Sequence, residues 1–435
     1  MLSLLSRLVA SVAVVCLLAF GQSEDGFSAK QRISRIRDLG KRGGEAIPSL
    51  TEYLNDGDRD IRVEAVRAIV KIDGEASLTP LIKATHDNDA EVQIRATDGL
   101  VNFYLPGYVA KGLTGPVTRG LRQAKSVFSS RNDQVVDQNV TVKPDVAQAI
   151  AIEISGGASA DARTNAARAA GILRLRTAVP SLLSSLRARD SQLIFESLVA
   201  LQKIKDPAAG PGVSPAATDL DERIQITALE TIGVLHSLQS APNVRSALTN
   251  ARNVRVRRGA LEALAMLGIA GDRPIFQQYA EDKDPELRAS ALEGLGRIRE
   301  PEDYPLIERA YNEGDANWRV HLAAAFALVD QGKVDTSDDY SPLPYLFENL
   351  AMKSKATVAS AYLAELVRRD DVRKALTPLI SQGTRDQKLV LCSVLGESQS
   401  EEVIPVLTTL SRDIDPDVSL AASKAIKTLQ ARRPS

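Results

Sequence analysis

The chain has 435 residues, 44% of them hydrophobic but only 4% aromatic, and its 54 basic and 55 acidic residues leave a net charge of -1. This balance provides no overall charge to attract nucleic acid or an anionic membrane. A mean hydropathy of -0.11 excludes a polytopic membrane protein, and the apolar content excludes wholesale disorder. The apolar residues are mainly Ala, Leu, Ile and Val, which is typical of thin, closely packed helical layers.

Residues 1–21 are predicted to be a signal peptide. Arg7 precedes residues 8–20, an uncharged run that is shorter than the roughly 20 residues a membrane-spanning helix needs. Ala19 and Gly21 place small residues before a cleavage site, so we expect cleavage after Gly21 and export to the periplasm or the extracellular space. An uncleaved anchor, or a lipoprotein modified at Cys16, is the alternative interpretation.

An amphipathic helical pattern recurs through the rest of the chain. Each copy opens with Asp or Asn, which can cap a helix, and continues with apolar residues at i, i+4, i+5 and i+8. The small or apolar residue at the centre of each copy recurs at Ala65, Ala96, Ala166, Ser197, Ala228, Ala260, Ala291, Leu322, Ala361, Leu391 and Ala422. Eight of the ten successive gaps lie within one residue of 31, and the two longer gaps, of 70 and 39 residues, indicate insertions.

A second, shorter apolar stretch separates these helices and usually carries a proline near its start. The prolines are Pro48, Pro80, Pro180, Pro274, Pro305 and Pro405. Proline is tolerated in a first helical turn, so each unit is predicted to be a helix pair. A lone pair cannot bury both of its apolar faces, and stacking buries them against neighbours. The predicted fold is therefore all-α, a solenoid of about eleven helix pairs with one long insertion.

The repeat units also resemble a known family. The stretches IRVEAVRAIVKIDGEASLTPLI from Ile61 and ELRASALEGLGRIREPEDYPLI from Glu286 resemble HEAT repeats, and most of all the short bacterial subtype also found in phycobilisome lyases. The resemblance covers most of residues 29–430 and implies a right-handed superhelix. It is specific for architecture and weak for activity, because such repeats serve scaffolds, adaptors and a few enzymes.

The larger interruption, residues 103–143, is predicted to be an insertion loop between repeats in residues 22–102 and repeats in residues 144–435. Six basic residues against two acidic ones give it a net charge of +4, and it carries four aromatic residues. It either projects as a contact surface or folds back over the gap between two repeats. On the first interpretation, partner binding would use Tyr104, Tyr108, Arg119 and Arg122. The smaller interruption, residues 331–344, is acidic and is expected to be an exposed loop.

No catalytic, cofactor or metal site is predicted. His86, His236 and His321 lie in different repeats, and none is followed by the Glu that iron-binding HEAT-like hydroxylases use. The nucleotide-binding and hydrolase motifs are absent from the sequence. Asp56 and Asp58 resemble part of a calcium loop without its distal Glu, so helix capping is favoured. Cys392 lies in an apolar run and is expected to pack rather than react.

The sequence thus predicts an exported, non-enzymatic scaffold or adaptor that binds a protein or peptide and no nucleic acid. Arginines near the helix starts are interpreted as a structural ladder between turns, because the acids of the same turns cancel their charge. The binding surface would include the residues two positions after the central ones, which mix both signs of charge: Arg67, Asp98, Arg168, Glu230, Glu262, Glu293 and Lys424. The alternatives are a lyase or isomerase of the phycobilisome-lyase kind and a peripheral protein held at a membrane surface by the basic insertion.

Overall fold

The computed structural model describes residues 27–109, 134–137, 140–313, 317–398 and 400–430. Within these ranges the regular structure is helical and no strand occurs. The predicted cleavage site after Gly21 lies outside the described residues, and so do Cys16, Arg119 and Arg122.

The first helices along the chain are α1 Ala29–Leu39, α2 Ile47–Glu52, α3 Arg59–Ile72, α4 Leu78–Ala84 and α5 Ala90–Tyr104. After the larger interruption follow α6 Pro144–Gly156, α7 Ala160–Ile172, α8 Val179–Ser185, α9 Ser191–Ile204, α10 Gly210–Val213, α11 Glu222–Val234, α12 Ala241–Asn250 and α13 Val254–Leu267. The remaining helices are α14 Arg273–Tyr279, α15 Pro285–Ile298, α16 Tyr304–Asn312, α17 Trp318–Asp330, α18 Pro342–Glu348, α19 Ala356–Leu366, α20 Asp370–Gln382, α21 Arg385–Glu397, α22 Ile404–Leu410 and α23 Pro416–Gln430.

These helices form pairs, as the sequence period predicts. The described residues contain eleven helix pairs, from α2 with α3 to α22 with α23, and α1 precedes them as an extra helix. We call the earlier helix of each pair its first helix and the later one its second helix. Prolines 48, 180, 274, 305 and 405 occupy the first two positions of first helices. Their missing N–H groups therefore cost no intrahelical hydrogen bond. The prediction of an all-α stack of helix pairs is confirmed.

An Asp-x-Asp turn starts several of the second helices. In the turns at 56–58, 87–89, 219–221, 282–284 and 413–415, the first Asp accepts a hydrogen bond from the backbone N–H of the second, at 2.8–3.0 Å. The second Asp then accepts one from the N–H two residues further on, at 2.9–3.0 Å, and so caps the helix. Asp56 and Asp58 thus serve a turn and a helix cap, as the sequence analysis favoured over a calcium loop.

The arginines near the helix starts bond both to their own turns and to neighbouring repeats, as Arg319 does with Glu286 at 3.1 Å. Arg257 and Arg288 each donate to the backbone carbonyl six residues earlier, in the turn of their own pair, at 3.2 and 2.8 Å. Arg62 does the same at 3.0 Å and also pairs with Asp87 of the next turn at 2.8 Å. The predicted ladder between turns is therefore present, together with bonds that satisfy carbonyls within the turns.

The central residues deduced from the period are almost all buried. Ten of the eleven have no exposed surface, including Ala260 and Ala291 in adjacent pairs. The prediction for Ala361 is wrong, because this residue is exposed and Ala359 takes the buried position. The period predicts the wrong residue here because the second interruption, residues 331–344, adds residues that a fixed period does not account for.

The chain divides into two compact units, Met1–Thr118 with Gly157–Ala162 and Arg119–Gly156 with Arg163–Ser435. In the first unit α1, α3 and α5 pack side by side, and in the second α9, α11, α13, α15 and α17 do the same. First helices such as α12, α14 and α16 pack chiefly on the second helix of their own pair. We call the side of the second helices that faces away from the first helices the inner face.

Candidate functional site

Three carboxylates lie on consecutive second helices of the second unit, Glu230 on α11, Glu262 on α13 and Glu293 on α15. Each lies two residues after the fully buried central alanine of its helix. This common register places them in one line on the inner face, and we call them the acidic column. Glu230 and Glu262 are exposed, whereas Glu293 is buried.

Glu262 is the least compensated member of the acidic column. It is accessible to solvent and forms no hydrogen bond or ion pair with the described part of the chain. Its pKa is raised to about 7, first because surrounding protein atoms displace water from the carboxylate and then because Glu293 and Glu230 lie near. The loss of water likewise raises the pKa of Glu230, and a hydrogen bond from Gln202 opposes this rise. Neither Glu230 nor Glu262 forms an ion pair with a residue that the structure describes.

Glu293, by contrast, is held in place by neighbouring side chains. We call Glu293 and these neighbours the end cluster, which consists of Glu293, Arg297, Phe326, Tyr362 and Glu365. The Tyr362 hydroxyl on α19 donates to Oε2 of Glu293 at 2.8 Å, and Nη2 of Arg297 pairs with Oε1 at 2.9 Å. Arg297 also pairs with Glu365 on α19. Phe326 on α17 stacks on Tyr362 with 4.5 Å between ring centroids, and the Arg297 guanidinium lies 5.0 Å from the Phe326 centroid.

The end cluster closes the inner face at α17. Tyr362 reaches Glu293 across α17, whose residues from Leu322 to Val329 have no exposed surface. Small side chains allow this, since four of those eight residues are alanines. The end cluster therefore covers the inner face at α17.

The neighbouring helices α9 and α11 present aromatic and polar groups. The guanidinium of Arg223 lies 3.5 Å from the ring centroid of Phe195 and donates to Oε1 of Gln192 at 3.1 Å. Gln202 donates to Oγ1 of Thr231 at 3.0 Å. Arg223 thus contacts uncharged groups across two helices, and the face carries this cation beside the acidic column.

The structure describes two of the four residues predicted from the insertion. Tyr104 lies in the last turn of α5, so the helix runs past the predicted start of the insertion at residue 103. Tyr104 and Tyr108 are both half-buried. Their role in partner binding, with that of Arg119 and Arg122 outside the described residues, stays a prediction.

Other residues predicted on the inner face are already paired within the second unit. Arg168 pairs with Glu196 at 2.7 Å, and Lys424 pairs with Asp137 at 2.7 Å. The predicted mixed charge of this face stays a prediction, and its members on α11, α13 and α15 are the three glutamates of the acidic column.

Of the other residues considered for chemistry, His321 and Cys392 pack against their neighbours and His236 is exposed. His321 lies between Tyr311 and Tyr345 with 4.3 Å between ring centroids on each side, and Nδ1 of His236 lies 3.1 Å from the Met266 carbonyl. Burial raises the pKa of the Cys392 thiol to about 12, as expected of a packing residue. Across the described ranges no group of three His, Cys, Asp or Glu side chains is placed to hold a metal ion. None of the described helices combines the length and the apolar character needed to cross a membrane.

Comparison with known proteins supports the repeat assignment. The model of the HEAT repeats matches residues 24–101, 241–329 and 273–366. Over these residues the chain is similar to HEAT repeats. The matched residues include α13, α15 and α19, which hold most of the acidic column and the end cluster.

Solved structures with similar helical stacks are distant from this chain. An engineered protein is 20% identical, with 88% of this chain and 98% of that chain covered and a TM-score of 0.34. The complex of CpcE and CpcF of phycocyanin lyase from Nostoc sp. PCC7120 is 19% identical, with coverage of 60% and 90% and a TM-score of 0.34. Importin beta is 13% identical, with coverage of 90% and 58% and a TM-score of 0.45. No protein of curated function matches the chain.

The hydrogen bond from Tyr362 to Glu293 should contribute measurably to stability. Tyr362→Phe removes the hydroxyl and leaves a buried carboxylate with one donor fewer, at a cost of about 1.5–3 kcal/mol. We expect a melting temperature several degrees below that of the natural chain. Tyr340→Phe is the matched control, because Tyr340 is 83% exposed and should melt unchanged. Identical melting of the two variants would contradict the assigned bond.

The raised pKa of Glu262 predicts a pH-dependent effect on stability. In the unfolded chain Glu262 ionises near pH 4.5, so between pH 4.5 and about 7 the folded protein retains a proton that the unfolded chain has lost. Its contribution to stability therefore falls as the pH rises through this window. Glutamine does not ionise, and Glu262→Gln should melt higher than the natural chain at pH 8 but not at pH 4.5. The gain should be small, on the order of a degree, because water screens this accessible group.

The control for this measurement is Glu348→Gln on α18. Glu348 is exposed and belongs to a first helix, away from the inner face, so removal of its charge should give no such trend. Thermal melts of the three proteins at pH 4.5, 6 and 8 provide the test. A constant difference between Glu262→Gln and the natural chain at all three pH values would show that Glu262 titrates normally.

Proposed function

We propose that this HEAT-repeat protein is an exported, non-enzymatic scaffold that binds another protein or peptide along the inner face of its second unit. The observation that supports this proposal is the acidic column, in which the exposed carboxylates of Glu230 and Glu262 take no part in packing the repeats. Like charges on adjacent helices disfavour the folded state, and perturbed carboxylates of this kind cluster at functional surfaces. Binding of a partner at these carboxylates would explain why the chain retains charges that disfavour its folded state.

The same observation favours a protein partner over the other candidates. Carboxylates repel the phosphates of lipids and nucleic acids, so the acidic column does not suit a membrane surface or a nucleic-acid chain. A lyase or isomerase of the phycobilisome-lyase kind would have to hold a bilin. A purified protein with visible absorbance from a bound bilin would favour that alternative instead.

Site-specific photo-crosslinking tests the proposed surface. A benzoylphenylalanine at Val199, at the inner-face position of α9, should crosslink to a partner in the exported fraction of the host. The same group at Glu348 on a first helix should not. Adducts of equal yield from both positions, or from Glu348 alone, would exclude the inner face as the binding surface.

Export has a separate test, since residues 1–26 lie outside the described structure. Intact-mass analysis of the protein from the exported fraction should give a chain that begins at Gln22. A full-length chain that retains Met1 and stays in the cytosol would contradict export and leave the binding proposal to the crosslinking result.

A further inference from the structure

We infer that a recess between α20, α21 and α22 binds the C-terminal end of a peptide whose last side chain is apolar. The recess has a volume of about 530 Å³, within the range of roughly 300–1,000 Å³ that is usual for ligand sites. Its walls come from the last turns of α20, from Lys388 of α21, and from the end of α22 with the turn that follows, residues 409–414. None of these residues belongs to the acidic column or the end cluster, so the inference does not depend on the proposed function.

The charge of the recess suits a carboxylate. Its charged residues are Lys388, Arg412 and Asp413. Asp413 is already compensated, because Oδ2 accepts from Nζ of Lys388 at 2.8 Å and Oδ1 accepts from the backbone N–H of Asp415 at 3.0 Å. Arg412 is exposed, and among the described residues its guanidinium has neither a hydrogen bond nor an ion pair. The recess therefore has one cation in excess, and a guanidinium binds a carboxylate through two parallel hydrogen bonds.

Three hydroxyl groups of the recess can accept hydrogen bonds from a peptide backbone. Thr377, Ser381 and Thr409 each donate to a carbonyl of their own helix, at 3.2, 2.7 and 3.3 Å. Their hydrogens are thereby used, whereas their oxygens keep lone pairs that can accept. The carboxylate of a fatty acid has no N–H group to donate to them. A peptide has backbone N–H groups beside its terminal carboxylate, so these acceptors favour a peptide.

The apolar residues of the recess favour an apolar last side chain. Pro378, Ile380 and Leu410 line the recess, and Ile380 and Leu410 are buried. Ile414, which also lines it, is fully exposed. An apolar side chain that enters the recess would cover Ile414 and so remove from water a surface that the chain itself leaves exposed.

Three matched ligands test the chemistry of the recess. The probe is the peptide Gly-Ser-Gly-Ser-Ser-Leu with fluorescein at its N-terminus and a free C-terminal carboxylate, and its anisotropy is measured with the purified protein. The same peptide with a C-terminal amide should bind about tenfold more weakly, because it lacks the charge that pairs with Arg412. Octanoate, which has the charge and an apolar tail but no amide, should not displace the probe at concentrations where the unlabelled acid peptide does. Equal affinity for the two peptides, or equal displacement by octanoate, would overturn the inference.

Variants of the lining residues, each with a control, locate the binding site. Arg412→Gln should weaken binding of the acid peptide about tenfold and leave that of the amide peptide nearly unchanged. Arg252→Gln is its control, since Arg252 is also exposed and lies just before another second helix. Ile414→Ser should weaken both peptides, and Leu220→Ser is its control, because Leu220 is an equally exposed apolar residue of an Asp-x-Asp turn. All four residues are exposed, so the variants should remain folded. Equal losses in a variant and its control would mean non-specific attraction and would overturn the inference.

This experiment and the crosslinking experiment fail independently. If the acid peptide does not bind, the inference is overturned, and the proposed function is left to the crosslinks at Val199. Selective binding of the acid peptide without crosslinks at Val199 would support the recess and contradict the inner face as a binding surface.

Discussion

Replacement of Ala260 by aspartate should lower the melting temperature by about 5–10 °C. Ala260 has no exposed surface and lies at the centre of α13, which packs against α11 on one side and α15 on the other. An aspartate there places a carboxylate without a partner between close helices, at a cost on the order of several kcal/mol. In a unit of this size each kcal/mol corresponds to about 2–4 °C.

The matched control is the same replacement at Ala361. The sequence period predicts equivalent central positions for the two alanines, but the structure leaves Ala361 exposed. Ala361→Asp should therefore melt within about a degree of the natural chain, and Ala359→Asp should behave like Ala260→Asp. If Ala260→Asp prevents folding altogether, Ala260→Val gives a milder test by overpacking. Equal melting of Ala260→Asp and Ala361→Asp would refute the burial that distinguishes them.

Replacement of Gly296 by alanine should also destabilise the second unit. A Cβ at this position would lie 2.6 Å from the Cα and 2.5 Å from the Cβ of Ala327 on the next second helix. Both atoms belong to or adjoin the backbone, so α15 and α17 would have to move apart. Overpacking of this kind typically costs about 1–3 kcal/mol, which corresponds to a loss of several degrees in the melting temperature.

Gly271 provides the control for this prediction. It lies in the turn Ala270–Asp272, and a Cβ there would meet no atom within 4 Å. Gly271→Ala should be neutral or slightly stabilising, because alanine restricts the unfolded chain. Gly296→Ala should also disturb the end cluster, since α15 and α17 supply Glu293, Arg297 and Phe326. A melting temperature equal to that of Gly271→Ala would show that the two helices are not in close contact at Gly296.

The stack of helix pairs could be predicted from the sequence because each of its signals is local. A capping Asp, a proline in a first turn and an apolar stripe act within one repeat and recur with the same spacing. Ala65, Ala228 and Ala291 are therefore buried as the period requires. Ala361 is the exception, because a period carries no information on how many residues an interruption adds.

The character of the candidate site was decided by the tertiary structure. Tyr362 and Glu293 are 69 residues apart in the chain and meet because α19 lies over the alanine-rich α17. The raised pKa of Glu262 likewise depends on carboxylates from neighbouring repeats and on protein atoms that displace water. Each repeat by itself shows an ordinary surface Glu. The distances between side chains of different repeats, which set electrostatic energies, are fixed only when the helices pack.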